Sequence, residues 1–283
     1  MITHNGKYLL HATHHGMPIY AATMGGKMVI GDWLLSATLQ AIVAAFGSAE
    51  GTEVIRKTND YLNRIATTDP QRALLLAGFI NEDPLLVTSL VETSKVRWLV
   101  GDGKAYIDTG VGLQYPVRSR SKIMLQTTGS YSIASSRNNN GNSRMYLIFF
   151  DTSRWCLPKG GDWTAGTSVV ANKEYSVDVS IDTANYKMIV NGVAEQVTAA
   201  PIVSSQSIYL FARNNISTID SLAPTGTKLA YITIEQESKN AHFIPMQRTD
   251  GTCGMLDIIS GTFYPNANTQ GSFTIALTDK TTS

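Results

Sequence analysis

Charge is scarce in this sequence, and the two signs almost cancel. Charged residues make up 16% of the 283 residues, and 23 basic against 22 acidic side chains leave a formal net charge of +1 at pH 7. A chain with this balance has no electrostatic footprint for nucleic acid or for an anionic membrane surface. We therefore predict that nucleic acid is not among its partners.

Long apolar runs are missing as well. No stretch approaches the roughly 20 apolar residues that a membrane-spanning helix requires. The segment from Met1 to Leu10 is interrupted by polar residues and lacks the apolar core of a signal peptide. We predict no membrane insertion and no export by the standard secretory route. Hydrophobic residues nevertheless make up 43% of the chain, a globular composition that argues against disorder.

Cysteine is nearly absent. Cys156 and Cys253 are too few for a disulfide framework, and no metal-ligand spacing of Cys and His surrounds them. We interpret both as small, partly buried side chains, with a single bridge between them as the alternative.

What is present falls into three sections, of which the first is residues 1–31. This section is rich in Gly, His and Met, and its short extended runs predict an N-terminal β-hairpin arm. It holds four of the five histidines: His4, His11, His14 and His15. Imidazole binds Zn, Ni or Fe, but the spacing matches no standard ligand motif. We therefore predict an exposed polar arm and no metal site.

The second section, residues 32–96, has helical periodicity. Gly47 is typical of a helix end, and Asp69-Pro70 and Asp83-Pro84 are typical of helix starts. The sequence predicts a small helical region for attachment and oligomerisation. Its apolar stripe has two interpretations, internal packing or a coiled-coil-like seam between subunits. The candidate seam residues step by four, three and four along one face: Leu35, Leu39, Ile42 and Phe46.

The third section, residues 97–283, consists of strand-like runs separated by turn residues. Apolar and polar residues alternate from Tyr175 to Ile181, which places one strand face in a core and the other in water. A second alternating run ends at Asn191-Gly192, a strong hairpin motif. No helical pattern separates the runs. The predicted fold class is mainly β, with a C-terminal antiparallel β-sandwich after the helical region and the arm.

Both ends of the third section carry a resemblance to a known family. Ala105-Tyr106-Ile107-Asp108-Thr109-Gly110 lies near its start, and FIPMQRTDGTCGMLDIISGTFYPNANTQGSF runs from Phe243 to Phe273 near its end. Together they resemble the concanavalin A-like, laminin-G-like jelly rolls of tailed-bacteriophage virion proteins, especially those of gut phages. The resemblance implies a lectin-like jelly roll in a head fibre, tail fibre or similar appendage. Within this motif we expect Asp257 to accept hydrogen bonds from the backbone of an adjoining turn.

The sequence contains no catalytic motif. Glycoside hydrolases need two carboxylates about 5–10 Å apart, and the jelly-roll enzymes that this fold resembles carry a Glu-x-Asp-x-x-Glu strand that is absent here. Two carboxylate pairs, Asp178 with Asp182 and Glu235 with Glu237, each share a strand face. We interpret both as a solvated outer face neutralised by nearby lysines, Lys173, Lys187 and Lys239. We predict no catalytic residues and no enzymatic activity.

Two polar loops are candidates for ligand binding. Sugar recognition combines an aromatic face for C–H groups with amides or carboxylates for hydroxyls. The candidate glycan-binding residues are Trp155, Trp163, Asp162, Asn138, Asn139, Arg213 and Asn214. The alternative is that the tryptophans are core or subunit contacts and that the Asn run is a turn. Loop oxygens of this kind also suit Ca²⁺, but no pattern singles out a site, so we predict no cofactor other than this candidate ion.

One leading hypothesis and two alternatives follow. The leading hypothesis is a structural virion protein, assembled in the host cytoplasm, whose arm and helices attach it to other virion proteins and to sister subunits. By resemblance to phage fibres we expect a homo-oligomer, with a trimer favoured, and a jelly roll that binds protein or host surface glycan. The alternatives are a stand-alone carbohydrate-binding, lectin-like module and a polysaccharide-degrading enzyme. The missing secretion signal counts against the lectin-like module, and the missing paired-carboxylate strand counts against the enzyme.

Overall fold

The structure is a computed structural model that describes residues 2–4, 7–14, 17–24, 27–29, 33–137, 144–159, 162–198, 204–215 and 218–280. Its side chains are described from Trp33 onward, outside 137–146, 159–163, 199–205, 216–217 and 281–283. Residues group into two compact units, Met1–Arg97 with Gln247–Gly251 and Leu277–Ser283, and Trp98–Met246 with Thr252–Ala276. The division into sections 1–31, 32–96 and 97–283 stays a prediction.

The N-terminal residues form a four-stranded antiparallel sheet, which is two strands more than a single hairpin. The strands pair in chain order: β1 (Ile2–His4), β2 (Lys7–His14), β3 (Met17–Met24) and β4 (Lys27–Val29). In the register of the last pair, Met24 lies opposite Lys27. Gly25 and Gly26, which connect them in the sequence, lie outside the described residues.

Two helix boundaries that the sequence predicts are confirmed, the end at Gly47 and the start at Asp69-Pro70, whereas Asp83-Pro84 begins a 3-10 turn. The helical region contains α1 (Ser36–Phe46), α2 (Ser48–Ala66), α3 (Pro70–Glu82), a 3-10 turn (Pro84–Leu86) and α4 (Val87–Leu90). Gly47 ends α1 with a φ of 79°, and the Asp69 carboxylate caps α3 by accepting from the Arg72 amide at 3.0 Å. In the described residues, no single helix is long and apolar enough to cross a membrane; α3 and the segment Pro84–Leu90 meet that requirement only as a pair, bent by 119°.

The apolar stripe of α1 is partly used for packing inside its own unit. Ile42 is fully buried, whereas Leu35, Leu39 and Phe46 keep part of their surface exposed. Ile42 therefore fits the internal-packing interpretation. The role of the four residues as an oligomer seam stays a prediction.

A buried ion pair lies at the end of the helical region. Arg97 donates to the Asp83 carboxylate, and the two side chains are only 2% and 8% exposed. The same carboxylate accepts from the main-chain amide of Gln247 at 2.8 Å. Burial raises the pKa of Asp83, while Arg97 and the Gln247 amide oppose that change. Arg97 and Gln247 are thus both bonded to Asp83, the residue that follows α3.

The predicted mainly β fold class is confirmed by two large sheets. Their strands are β5 (Lys95–Gly101), β6 (Ile107–Leu113), β7 (Val117–Met124), β8 (Tyr131–Arg137), β9 (Arg144–Asp151), β10 (Arg154–Lys159), β11 (Asp162–Ser168), β12 (Glu174–Ile181), β13 (Asn185–Val190), β14 (Val193–Thr198), β15 (Ser204–Leu210), β16 (Arg213–Asn215), β17 (Thr218–Asp220), β18 (Lys228–Gln236), β19 (Ala241–Gln247), β20 (Cys253–Asp257), β21 (Thr262–Pro265) and β22 (Phe273–Asp279).

The smaller sheet has the order β11-β10-β9-β8-β15-β6, with the hairpin β16–β17 attached to β8. The larger sheet has the order β14-β13-β12-β7-β18-β19-β20-β21, with β5 joined to β18 and β22 joined to β5. Among the described registers of the sandwich, only the β16–β8 pair is parallel. Where β5 begins and β22 ends, the Lys280 amide donates to the Ser94 carbonyl at 2.7 Å.

Side chains from both sheets fill one core. The alternation predicted from Tyr175 to Ile181 is confirmed, because the odd-numbered residues of β12 are buried. Tyr186 on β13 is fully buried and donates its hydroxyl to the Leu147 carbonyl on β9, in the other sheet, at 3.0 Å. The hairpin after β13 turns at Asn191-Gly192 with φ values of 48° and 84°, as the sequence predicts.

The C-terminal motif is structural, as expected. The buried Asp257 carboxylate accepts from the amides of His242 at 2.9 Å and Ile259 at 3.1 Å, and from the Ser260 hydroxyl at 2.6 Å. Gly254 on β20 packs so closely on β21 that an added Cβ would lie 2.3 Å from the Tyr264 carbonyl oxygen. This motif therefore closes the end of the larger sheet.

The two cysteines are buried and unbridged, which confirms their interpretation as small packed side chains. Burial raises the pKa of the Cys156 thiol to about 12.

Candidate functional site

One of the two tryptophans that the sequence predicts to bind glycan, Trp155, lies in the core. Trp155 is fully buried, with its ring centroid 4.6 Å from that of Phe150 and 5.4 Å from that of Tyr175. A sugar cannot reach a ring inside the core, so the assignment of Trp155 to a glycan site is wrong and the core alternative is correct for it. The physical reason is that Trp155 lies on β10 rather than in a loop, at a position that faces inward.

Arg213 and Asn214 serve the β16–β17 hairpin. The Arg213 guanidinium forms two hydrogen bonds to the Asp220 carboxylate, at 2.5 and 2.7 Å. Asn214 is 4% exposed, and its amide nitrogen donates to the Ser207 carbonyl at 3.0 Å. A buried amide has no access to a ligand, so the glycan-binding assignment of Asn214 is also wrong. For Arg213 the structure gives a structural ion pair within the hairpin.

The four remaining candidate residues lie wholly or partly outside the described part of the structure. Asn138 and Asn139 lie outside the described residues, as do the side chains of Asp162 and Trp163, whose backbones pair with Lys159 and Pro158. Their role in glycan binding stays a prediction. The N-terminal histidine side chains are also outside the described part, within which no group of three or more His, Cys, Asp or Glu residues is arranged to hold a metal ion.

A different surface brings polar side chains together, on the outer face of the larger sheet. Successive strand residues point to opposite faces, so the even-numbered residues of β7 face outward while Ser119 and Ser121 are buried. Each outward cation of β7 pairs with a carboxylate on a neighbouring strand. These pairs, which we name the charged ladder, are Arg118 with Asp178, Arg120 with Glu235, and Lys122 with Glu174.

The first rung of the ladder has the most defined geometry. Arg118 donates from Nε and Nη2 to the two carboxylate oxygens of Asp178, at 3.0 and 2.6 Å. This two-point contact lowers the pKa of Asp178, mainly through the hydrogen bonds from Arg118. Arg120 reaches Glu235 at 3.0 Å. The outer face is therefore neutralised chiefly by arginines of β7, and the predicted Lys173 instead lies 5.6 Å from the Tyr175 ring centroid.

At one end of the charged ladder, three strand ends form an open cleft of about 510 Å³. The register aligns Val117 with Ile181 on one side and Gln236 on the other. The next row aligns Arg118 with Ser180 and Glu235 in the same way. The cleft is lined by apolar surface from Pro116, Val117 and Ile181 and by the polar residues Arg118, Ser180, Asp182, Glu235, Gln236, Glu237 and Asn240.

Several of these polar groups shape the cleft. The Gln236 side chain accepts from the Gln114 amide at 2.9 Å and donates to the Gly112 carbonyl at 3.0 Å. Asp182 accepts from two amides of its own turn, both at 2.7 Å, and these bonds lower its pKa. The Ser180 hydroxyl and the Glu237 carboxylate make no side-chain hydrogen bond to the described residues, and they line the opening.

The chain matches no protein-family model and no curated protein. Solved structures that are similar to parts of it include the following three. A candidate carbohydrate-binding protein from Bacteroides ovatus is 11% identical over 66% of this chain and 61% of that one, with a TM-score of 0.46. Domains LG4-5 of the mouse laminin alpha1 chain are 12% identical over 53% and 48%, with a TM-score of 0.39. The enzymatically active domain of tailspike protein 2 from bacteriophage CBA120 is 10% identical over 48% and 24%, with a TM-score of 0.34.

This chain therefore spans less than two thirds of each of the three structures. At these TM-scores the likeness carries no argument about function. The assignment of a β-sandwich rests on the strand order and the shared core, and the candidate site rests on its own geometry.

Proposed function

We propose that the protein is a non-catalytic component of a tailed-phage particle and that its sandwich binds glycan in the cleft beside Arg118. The observation that carries the binding role is the cleft itself. Its volume of about 510 Å³ lies within the range of roughly 300–1,000 Å³ that is typical of small-ligand sites. Its lining combines apolar surface from Pro116, Val117 and Ile181 with seven polar residues, so it offers both contacts for sugar C–H groups and hydrogen-bonding groups for sugar hydroxyls.

Two of the polar side chains of the cleft, Arg118 and Gln236, are held in place before a ligand arrives. The Arg118 guanidinium is fixed by both oxygens of Asp178, and the strand ends are fixed by the hydrogen bonds of Gln236. A site that is already ordered loses less conformational entropy on binding. Ser180 and Glu237 supply hydroxyl and carboxylate groups for sugar hydroxyls, and Pro116 with Ile181 supplies surface for sugar C–H groups.

The particle role is supported by the resemblance of the Phe243–Phe273 motif to virion jelly rolls. In this proposal the N-terminal sheet and helices attach the chain to other virion proteins, and the partly exposed stripe residues Leu39 and Phe46 contribute to a homo-oligomer. The protein is assembled in the host cytoplasm and resides in the virion, where the sandwich meets a surface glycan of the host.

A polysaccharide-degrading enzyme is the second candidate, because carboxylates line the same cleft. A general acid needs a pKa raised toward neutrality. Asp182 has the opposite shift, since two backbone amides lower its pKa, and Glu235 is held in an ion pair by Arg120. These contacts favour binding over turnover.

A glycan array probed with the full chain tests the binding role. The Ser180→Tyr variant places a large ring in the cleft, so it should weaken binding by at least about tenfold, or roughly 1.4 kcal/mol. The Ser176→Tyr variant is the matched control, because Ser176 lies on the same outer face of β12 outside the cleft. Equal binding by both variants would exclude the cleft as the site. Product release from a bound glycan would favour the enzyme instead.

Two measurements test the particle role. Peptides of the chain should be recovered from purified phage particles by mass spectrometry, and their absence would contradict a virion location. Light scattering of the wild-type chain should give a mass that is a multiple of the 30.7 kDa chain mass. Leu39→Asp should reduce this mass. Gln40→Asp, which changes an exposed position of α1, should leave it unchanged. A monomeric wild-type chain would remove the self-assembly part of the proposal.

A further inference from the structure

The charged ladder is balanced rung by rung. Each of its three cations has a carboxylate partner, at 2.6 Å for Arg118, 3.0 Å for Arg120 and 2.8 Å for Lys122, and Arg120 also lies 3.8 Å from Asp178. A row of arginine and lysine at alternate positions resembles a site for polyanions when only the sequence is considered. In the folded sheet, the flanking strands place an acidic side chain beside every one of these cations. The outer face therefore has no surplus of positive charge.

The cleft at the end of the ladder also has no surplus of positive charge. Its lining contains one guanidinium, from Arg118, and three carboxylates, from Asp182, Glu235 and Glu237. With the neighbouring charged groups, the count is three cations against four anions: Arg118, Arg120 and Lys187 against Asp178, Asp182, Glu235 and Glu237. No cation in the lining is without an acidic partner.

An anionic sugar would meet two obstacles in this cleft. Its carboxylate or sulfate would have to draw Arg118 away from the two hydrogen bonds of Asp178. It would also lie beside Glu235 and Glu237, and like charges brought together at an interface are strongly unfavourable. A sugar without charge meets neither obstacle, because its hydroxyls can donate to Glu237 and accept from Ser180 while the ladder stays intact.

We infer that the cleft selects uncharged sugar residues and rejects uronic acids and sulfated sugars. This inference rests on the proposed glycan-binding function and specifies its ligand class. The rejection follows from the paired state of Arg118 and from the carboxylates at the opening. In this inference the three cations of β7 join neighbouring strands of the sheet, and the carboxylates of the cleft repel acidic sugars.

The test compares matched pairs of oligosaccharides by isothermal titration calorimetry with the full chain. The acidic members contain glucuronic, galacturonic or mannuronic acid. The neutral members are the same oligosaccharides after chemical reduction of each carboxyl group to an alcohol, so that only the charge changes. At least one neutral member should bind about tenfold more tightly than its acidic counterpart. Its affinity should change less than about twofold between low and high salt, because few exposed charges contribute.

Glu237→Gln should narrow the gap between the neutral and acidic members, whereas Glu92→Gln, at an exposed position of the other unit, should leave it unchanged. Tighter or equal binding of an acidic member, especially binding that weakens with salt, overturns the selectivity while the glycan-binding function stands. Binding of none of the six oligosaccharides, together with an empty glycan array, overturns the function and the inference with it.

Discussion

The buried pair of Asp83 and Arg97 gives the strongest test of what holds the helical unit together. The two side chains are 8% and 2% exposed, so neither charge has access to bulk water. Removing one partner leaves the other charge buried without its counter-ion, which costs about 3–5 kcal/mol in proteins. We therefore expect Arg97→Met to lower the free energy of unfolding by about that amount. Asp83→Leu should have a similar effect, since it removes the carboxylate that pairs with the buried guanidinium and also removes the acceptor for the Gln247 amide.

The double variant distinguishes an ion pair from two independent contacts. Replacing both members with apolar residues removes both buried charges, so the double variant should be more stable than either single variant. Chemical denaturation of the full chain, followed by far-ultraviolet circular dichroism for the helices, measures each free energy. The control is Arg56→Met, which removes an equivalent arginine from ion pairs on the exposed surface of α2 and should leave the transition unchanged. A cost below about 1 kcal/mol for Arg97→Met, or losses that simply add in the double variant, would refute the reasoning.

Three further predictions concern the sandwich, each measured by chemical denaturation. Tyr186→Phe should cost about 1–2 kcal/mol, because the Leu147 carbonyl loses a buried donor that joins the two sheets; an unchanged midpoint would contradict this. Gly254→Ala should cost at least about 2 kcal/mol, since its Cβ would meet the Tyr264 carbonyl oxygen at 2.3 Å, and a neutral effect would mean that β21 moves freely. Asp178→Asn should cost about 1 kcal/mol at neutral pH. The folded-state pKa of Asp178 is lowered, so the stabilisation from its carboxylate is present above the unfolded pKa of about 3.9 and is lost as pH falls below it. The free energies of unfolding of wild type and variant should therefore converge in acid. A difference that stays constant with pH would exclude this linkage.

The elements that the sequence predicts correctly are those whose cause is local. Gly47 ends α1 because a residue without Cβ adopts its positive φ, and Asp69 begins α3 because its carboxylate reaches an amide three residues ahead. The alternation of β12 and the Asn191-Gly192 turn are local in the same sense. Each depends on a few consecutive residues, which are visible in any reading of the chain.

The cleft was missed because its cause is not local. Arg118 meets Asp178 and Glu235 only through strand register, and no rule of spacing fixes which strands become neighbours. The sequence did hold one clue, Arg118-Ser119-Arg120-Ser121-Lys122, in which charged and small residues alternate. The hydrophobic alternation typical of a half-buried strand was hidden, since the inward positions are serines that are 2% and 1% exposed. The pattern around Arg118 and Arg120 therefore does not indicate a strand, and neither arginine is among the site residues that the sequence predicts.

Trp155 shows the opposite error. It lies near Pro158, Gly160 and Gly161, a composition that is typical of a loop and that favours a binding residue. In the structure Thr152 and Ser153 make the turn with positive φ, and the chain then enters β10, whose register places the indole in the core. A large aromatic side chain near glycines is thus compatible with either role, and only the strand pairing decides between them.

The neighbouring positions of β5 and β22 have a consequence for the modular use of this sandwich. The chain enters it beside Ser94 and leaves it beside Lys280, and the two points are joined by a hydrogen bond of 2.7 Å. A polypeptide that enters and exits at one place can be inserted into a surface loop of a host protein without spreading that loop. The same proximity suits circular permutation, with the old ends joined by a short linker and new ends opened at Asn191-Gly192. The short distance between these two points is thus the geometry that both insertion and permutation require.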